Sequence, residues 1–160
     1  MDYFIIKDNG KLRTSEILSE CRKLFSVWCF WSDKELDENF PPEKTKAKFR
    51  NVQEAYEEFR NMSANDLKEK YPDKKFITLR QRLLLEIKYF NLTKKHLDIL
   101  NITVCAGSRH QGGNVPSVDW DGYCSKVRVS SYDPVVSGDF LRSRQAVSLE
   151  SLSLKPKDWV

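Results

Sequence analysis

The chain has 160 residues, of which 40% are hydrophobic and 31% are charged, and its formal net charge is +4. This composition is typical of a globular protein with a hydrophobic core, and it excludes disordered, collagen-like and coiled-coil chains. The length predicts a single domain over residues 1–150, with a peripheral tail over residues 151–160.

The first forty residues predict one strand and one core helix. Residues 2–7 predict a short strand that ends at residues 8–10, where Asn and Gly favour a turn. Apolar residues at spacings of three and four from Ile17 to Trp28 then predict an amphipathic helix. We therefore expect the Trp28 side chain to be buried.

The middle of the chain predicts two further amphipathic helices. The first begins after Pro41-Pro42, and its apolar stripe consists of Phe49, Val52, Tyr56, Phe59 and Met62. The second begins at a capping box formed by Thr78 and Gln81, and we expect Leu83 to be one of its buried residues.

The whole excess of positive charge lies in residues 41–96, which carry 14 basic and 8 acidic side chains. Part of this excess is the run Lys44, Lys46, Lys48 and Arg50, which at helical spacing spreads round most of the helix. Two interpretations stay open: a solvated helix face, or a docking surface for phosphates or an acidic protein.

The last third of the chain predicts strands. Residues 102–105 are rich in β-branched side chains, and apolar and polar residues alternate on both sides of the turn signal Asp121-Gly122, so we expect a small antiparallel meander with a buried Trp120. Asp139 is expected to cap a short helix through residues 142–146. Helices followed by strands predict an α+β fold, with an N-terminal helical part packed on a C-terminal antiparallel β-meander.

Four further basic residues in this last third are candidates for partner contacts. Arg109 and His110 lie in the glycine-rich loop of residues 107–114, which is either a plain connection or an anion-binding loop. Arg142 and Arg144 face the same way if their segment is extended, and they then clamp a carboxylate or phosphate. The alternative is an internal ion pair of Arg144 with an aspartate of the meander.

One pattern points to an enzyme. Pro72-Asp73 followed by Glu86-Ile87-Lys88 resembles the PD-(D/E)xK nucleases, in which the acids bind magnesium and the lysine helps to activate water. In that family the Glu and Lys share one face of a strand. A helix turns Glu86 and Lys88 about 200° apart, so the predicted helix argues against this site.

No catalytic residue, metal or cofactor is predicted, and no membrane contact. The four cysteines form no C-x-x-C pair and are expected to be reduced thiols, and the histidines lack zinc-ligand spacing. No apolar run approaches the roughly 18 residues of a membrane-spanning helix, and the N-terminus lacks the pattern of a secretory signal. We therefore expect a cytoplasmic protein.

Three segments of the last third carry a family resemblance: residues 105–109, 115–120 and 141–146. They resemble a module of small uncharacterised proteins from phages and other mobile elements. Such proteins are commonly accessory or anti-defence factors, including inhibitors of CRISPR effectors, that dock on the machinery of the host. The resemblance implies no catalytic residues.

The leading hypothesis is therefore a non-enzymatic accessory protein that binds a host protein or nucleoprotein in the host cytoplasm. The alternatives are a magnesium-dependent nuclease built on Asp73, Glu86 and Lys88, and a direct nucleic-acid-binding protein. The residues expected to contact the partner are Lys44, Lys46, Lys48, Arg50, Arg109, His110, Arg142 and Arg144.

Overall fold

The computed structural model describes residues 2–149, so the predicted tail of residues 151–160 lies outside the described residues. The helices of the described residues are α1 (Thr14–Arg22), α2 (Asp33–Asn39), α3 (Ala64–Lys70) and α4 (Leu79–Thr93), with a 3-10 turn at Glu57–Phe59. The strands are β1 (Tyr3–Asn9), β2 (Val27–Cys29), β3 (Lys44–Arg50), β4 (Lys75–Phe76), β5 (Ile102–Val104), β6 (Val115–Asp121), β7 (Lys126–Tyr132), β8 (Leu141–Arg142) and β9 (Gln145–Ser148).

The strands form two sheets. The first has the order β1-β3-β9-β4, with antiparallel neighbours throughout. The second has the order β2-β7-β6-β5-β8, in which the outer pairs β2–β7 and β5–β8 are parallel. The central pairs β5–β6 and β6–β7 are antiparallel, which confirms the predicted meander.

The α+β class is confirmed, but the predicted order of a helical part followed by a meander is wrong, because strands alternate with helices from β1 onwards. The largest difference is β3, which occupies the start of a predicted helix. Thr45, Ala47 and Phe49 alternate with basic residues, and this period of two belongs to a strand with one face on the core. The downstream residues Tyr56 and Phe59 are buried, but they lie in an irregular segment and a 3-10 turn instead of a helix.

The first predicted helix is shorter than expected. It ends at Arg22, and residues 27–29 instead pair with β7 as an edge strand. The prediction of a buried Trp28 is therefore wrong, since this side chain is 44% exposed on β2. Trp31 takes the buried position and packs edge-on against Phe40.

The predicted helix over α4 is confirmed, including its capping box. The Thr78 hydroxyl accepts a hydrogen bond from the Gln81 amide, and the Gln81 side chain accepts one from the Thr78 amide. Leu83 is buried as predicted, whereas Trp120 is only partly buried and lies against the His96 ring.

The short helix predicted over residues 139–146 is wrong. This segment forms β8 and β9, and the two strands belong to different sheets. Between them lie Ser143 and Arg144, both fully buried and hydrogen-bonded. The capping signal at Asp139 is local, whereas strand pairing with β5, β3 and β4 is what fixes the segment.

The main hydrophobic cluster joins the two sheets to α1 and α4. The first sheet supplies Phe4 and Phe49, and the second supplies Val118 and Val129. A smaller cluster connects α3 and the 3-10 turn to β4, and it consists of Tyr56, Phe59, Leu67 and Phe76. The position of α3 beside β4 creates the cavity described below.

All four cysteines are free thiols, as predicted. Burial raises the pKa of Cys21 and of Cys105 to about 12. Both thiols therefore stay protonated at neutral pH and are poor nucleophiles.

Candidate functional site

The four residues of the basic run lie on one face of β3. Strand alternation directs Ala47 and Phe49 to the core and the basic side chains to the opposite face. Lys7 of β1 stands opposite Lys46 in the register and joins the same face. The basic sheet face is defined by Lys7, Lys44, Lys46, Lys48 and Arg50.

The members of the basic sheet face differ in what they contact. Arg50 forms a bidentate ion pair with Glu58, and this hydrogen bonding lowers the pKa of the Glu58 carboxyl. The Lys48 ammonium lies 4.1 Å from the centre of the Tyr3 ring. Lys46 is largely buried, whereas Lys7 and Lys44 are exposed and form no ion pair within residues 2–149.

A cavity of about 420 Å³ adjoins the N-terminal half of β3. Its walls come from β3, α3, β4 and the loop that carries Arg109, and Glu43 is the one acidic side chain among the described residues that line it. We call it the basic cavity, after the cations Lys44, Lys46, Lys68, Lys74, Lys75 and Arg109.

The basic cavity contains residues that sequence reasoning missed. Lys68, Lys74 and Lys75 belong to the same positively charged middle segment, but their meeting with Arg109 depends on how α3 and β4 pack. The excess positive charge of this segment was the one feature of the sequence that pointed to these lysines. Their spacing along the chain did not predict that they line one cavity, because the contacts that form the cavity are long-range.

The structure separates Arg109 from His110. Arg109 lines the basic cavity, and its Nη1 donates to the carbonyl oxygens of Ala106 and Ser108 at 3.0 and 2.9 Å. His110 faces α2 and stacks on Trp31 with ring centres 5.7 Å apart. Of the two basic residues predicted in this loop, Arg109 therefore lines the cavity with the lysines and His110 does not.

Arg142 and Arg144 make internal contacts. Arg142 donates to the carbonyl oxygen of Ala55, and the Arg144 side chain is fully buried. Arg144 forms the internal ion pair that was one of the two predictions, with Asp98 at 3.1 Å as its partner instead of a meander aspartate. A fully buried guanidinium presents no surface to a binding partner.

Asp98 is the centre of a buried charge cluster that the sequence did not reveal. Its carboxylate accepts hydrogen bonds from Arg82 at 3.0 Å, from Arg144, from the Thr103 hydroxyl and from the Ala55 amide. Burial alone lowers the pKa of Arg82, but Glu86 and Asp98 outweigh it and keep that pKa above its usual value. The cluster is structural, because its charged members are enclosed.

The three residues of the nuclease pattern do not meet. Asp73 is exposed in the turn after α3, and Glu86 is fully buried on α4. Lys88 turns toward β1 and donates to the carbonyl oxygen of Ile5 at 3.1 Å. Across residues 2–149, no three His, Cys, Asp or Glu side chains are grouped to hold a metal ion. In the same range, no helix has the length and apolar character to cross a membrane.

No protein-family model, curated protein or solved structure matches the chain. The resemblance to phage accessory proteins therefore stays a prediction. The function is inferred from the geometry of the chain itself.

Proposed function

We propose that the protein is a non-enzymatic accessory protein of the phage type that docks on a host protein or nucleoprotein through the basic sheet face. The observation that carries the proposal is the strand alternation of β3, which collects four cations on one side of a sheet. A helix would have spread the same four charges around its axis. A concentrated positive face attracts an acidic or phosphate-bearing surface.

The basic sheet face also carries exposed apolar and aromatic surface. Tyr3 is 46% exposed and stands opposite Arg50, and Ile5 is 41% exposed and stands opposite Lys48. Interfaces combine aromatic and arginine contacts with a polar rim, and aromatic rings among cations also suit nucleic-acid bases. The face is therefore suited to a nucleoprotein partner.

The decisive experiment compares two charge-reversed proteins in affinity purification from host cells. Lys7→Glu/Lys48→Glu changes the basic sheet face, and Lys34→Glu/Lys95→Glu makes the same change in net charge at exposed positions elsewhere. We expect the partner to co-purify with the wild type and with the control, and its affinity for the face variant to be about tenfold weaker. Equal recovery with both variants would remove the face from the interface.

Salt dependence separates the kinds of partner. If duplex DNA is the direct ligand, the logarithm of the affinity falls linearly with the logarithm of the salt concentration, with a slope of about 0.9 per neutralised phosphate. Fluorescence anisotropy on DNA of arbitrary sequence measures this slope. A protein partner gives a shallower loss, because fewer counterions are released.

A further inference from the structure

We infer that the basic cavity is a binding site for closely spaced phosphate groups, such as the di- or triphosphate of a nucleotide. Its volume of about 420 Å³ falls within the roughly 300–1,000 Å³ of small-molecule pockets. This volume suits a compact ligand, whereas the basic sheet face suits a macromolecular surface. The inference goes beyond the proposed docking function and does not depend on it.

Several cations of the basic cavity have no ion-pair partner among the described residues. Among residues 2–149, no carboxylate pairs with Lys44, Lys68 or Lys75, all of which are exposed. Lys74 donates to the side-chain oxygen of Gln145 at 3.3 Å, which is a neutral partner. Bringing like charges together costs free energy, and a bound polyanion offsets this cost.

Arg109 supplies a planar donor that is oriented by the backbone. Its Nη1 group is held by two carbonyl oxygens, while Nε and Nη2 make no hydrogen bond within the described residues. Burial lowers the pKa of Arg109, because no carboxylate offsets the lost hydration. A half-buried guanidinium with free donors is suited to bidentate contact with phosphate.

A glycine fixes the loop that carries Arg109 against β4. A Cβ at Gly107 would lie 2.2 Å from the carbonyl oxygen of Phe76, and the Gly107 amide donates to the carbonyl of Ile77 at 3.0 Å. The close approach is possible only without a side chain. Arg109 therefore projects from a backbone that is fixed to the cavity wall, which is the preorganisation that anion binding needs.

The test is isothermal titration calorimetry of the full chain with tripolyphosphate, ATP and adenosine, at about 50 and 150 mM salt. Lys68→Glu/Lys75→Glu alters the cavity and leaves the basic sheet face unchanged. Lys34→Glu/Lys95→Glu is the matched control, because it makes the same charge change at exposed positions outside both the cavity and the basic sheet face. Circular dichroism and thermal melting verify that both variants are folded, and Lys68→Gln/Lys75→Gln replaces the reversal if it does not fold.

We expect tripolyphosphate and ATP to bind once per chain and adenosine not to bind. The cavity variant should bind about tenfold more weakly, and the affinity of the control should stay within about threefold of the wild type.

A second experiment compares an oligonucleotide that carries a 5′-triphosphate with one that carries a 5′-hydroxyl. If the cavity variant binds ATP more weakly than the wild type, the ligand is a free nucleotide. If the cavity variant loses binding only to the 5′-triphosphate oligonucleotide, the ligand is the end of a nucleic acid.

Two results would overturn the inference. One is the absence of binding by tripolyphosphate, ATP and the 5′-triphosphate oligonucleotide at low salt. The other is an equal loss of binding in the cavity variant and the control, since that pattern indicates unspecific attraction to net charge. Neither result bears on docking at the basic sheet face, which is measured with its own partner.

Discussion

Asp98 holds two guanidinium groups in the interior of the protein. Arg82 comes from α4 and Arg144 from the link between β8 and β9, and both are fully buried. Asp98 itself adopts a left-handed backbone conformation with a φ of 56°, which Asp tolerates better than most residues. One side chain therefore connects a helix to the segment that joins the two sheets.

The substitution Asp98→Asn is expected to lower the free energy of unfolding by about 3–5 kcal/mol, because it leaves two buried cations without their common anion. Urea denaturation followed by circular dichroism measures this loss. Asp133→Asn is the control, since Asp133 lies in an exposed turn where Asn can still accept the Val135 amide hydrogen bond. A loss below about 1 kcal/mol for Asp98→Asn would show that the two buried cations do not depend on the charge of Asp98.

The helical conformation of α4 is the main argument against the nuclease hypothesis. A helix places Glu86 and Lys88 about 200° apart, and the structure buries Glu86 while Lys88 contacts β1. A metal-dependent nuclease needs its carboxylates and lysine around one open site. The helical geometry does not provide this arrangement.

We expect the purified protein to leave DNA and RNA uncut in the presence of Mg²⁺ or Mn²⁺. Gel analysis of plasmid DNA and of a structured RNA tests this. Lys88→Ala serves as the diagnostic variant, because Lys88 is only partly buried and its truncation preserves the core. Cleavage by the wild type that Lys88→Ala abolishes would contradict the helical interpretation and restore the nuclease hypothesis.

The elements that were predicted correctly are those whose sequence patterns lie within the element itself. The capping box of Thr78 and Gln81 and the turn at Asp121-Gly122 are each set by neighbouring residues, and α4 and the β6–β7 hairpin form as expected. The missed elements depend on distant pairing. β3 is fixed by β1 and β9, and the segment after Asp139 is fixed by strands far away in sequence.

The candidate site was predictable only in part. The cations of β3 were visible in the sequence as a run. They share one face because the segment is a strand, whereas the apolar spacing up to Met62 predicted a helix. Arg109 was a candidate, yet its companions Lys68 and Lys75 come from separate elements. Charge composition can locate such residues in a segment, but only tertiary packing brings them to one cavity.

At the scale of the whole molecule, the two sheets share one core. The main hydrophobic cluster includes Phe49 of the first sheet and Val129 of the second, and the Asp98 cluster links α4 to the chain between them. A unit whose parts bury each other unfolds cooperatively.

We therefore expect residues 2–149 to unfold in a single transition. Urea unfolding should give the same midpoint by tryptophan fluorescence, to which all four tryptophans contribute, and by far-ultraviolet circular dichroism. Calorimetric and van't Hoff enthalpies should agree. Two resolved midpoints would show that the sheets fold as separate units.

The position of β9 has a consequence for synthesis on the ribosome. β9 lies between β3 and β4 in the first sheet, yet it follows every other described strand in the chain. At about 5–20 residues per second, roughly 5–20 s separate the synthesis of β3 from that of β9. During that interval one edge of β3 has no strand beside it, and an open strand edge recruits other chains. The nascent protein therefore completes its first sheet only after β9 has been synthesised, and until then the β3 edge stays open to pairing with other chains.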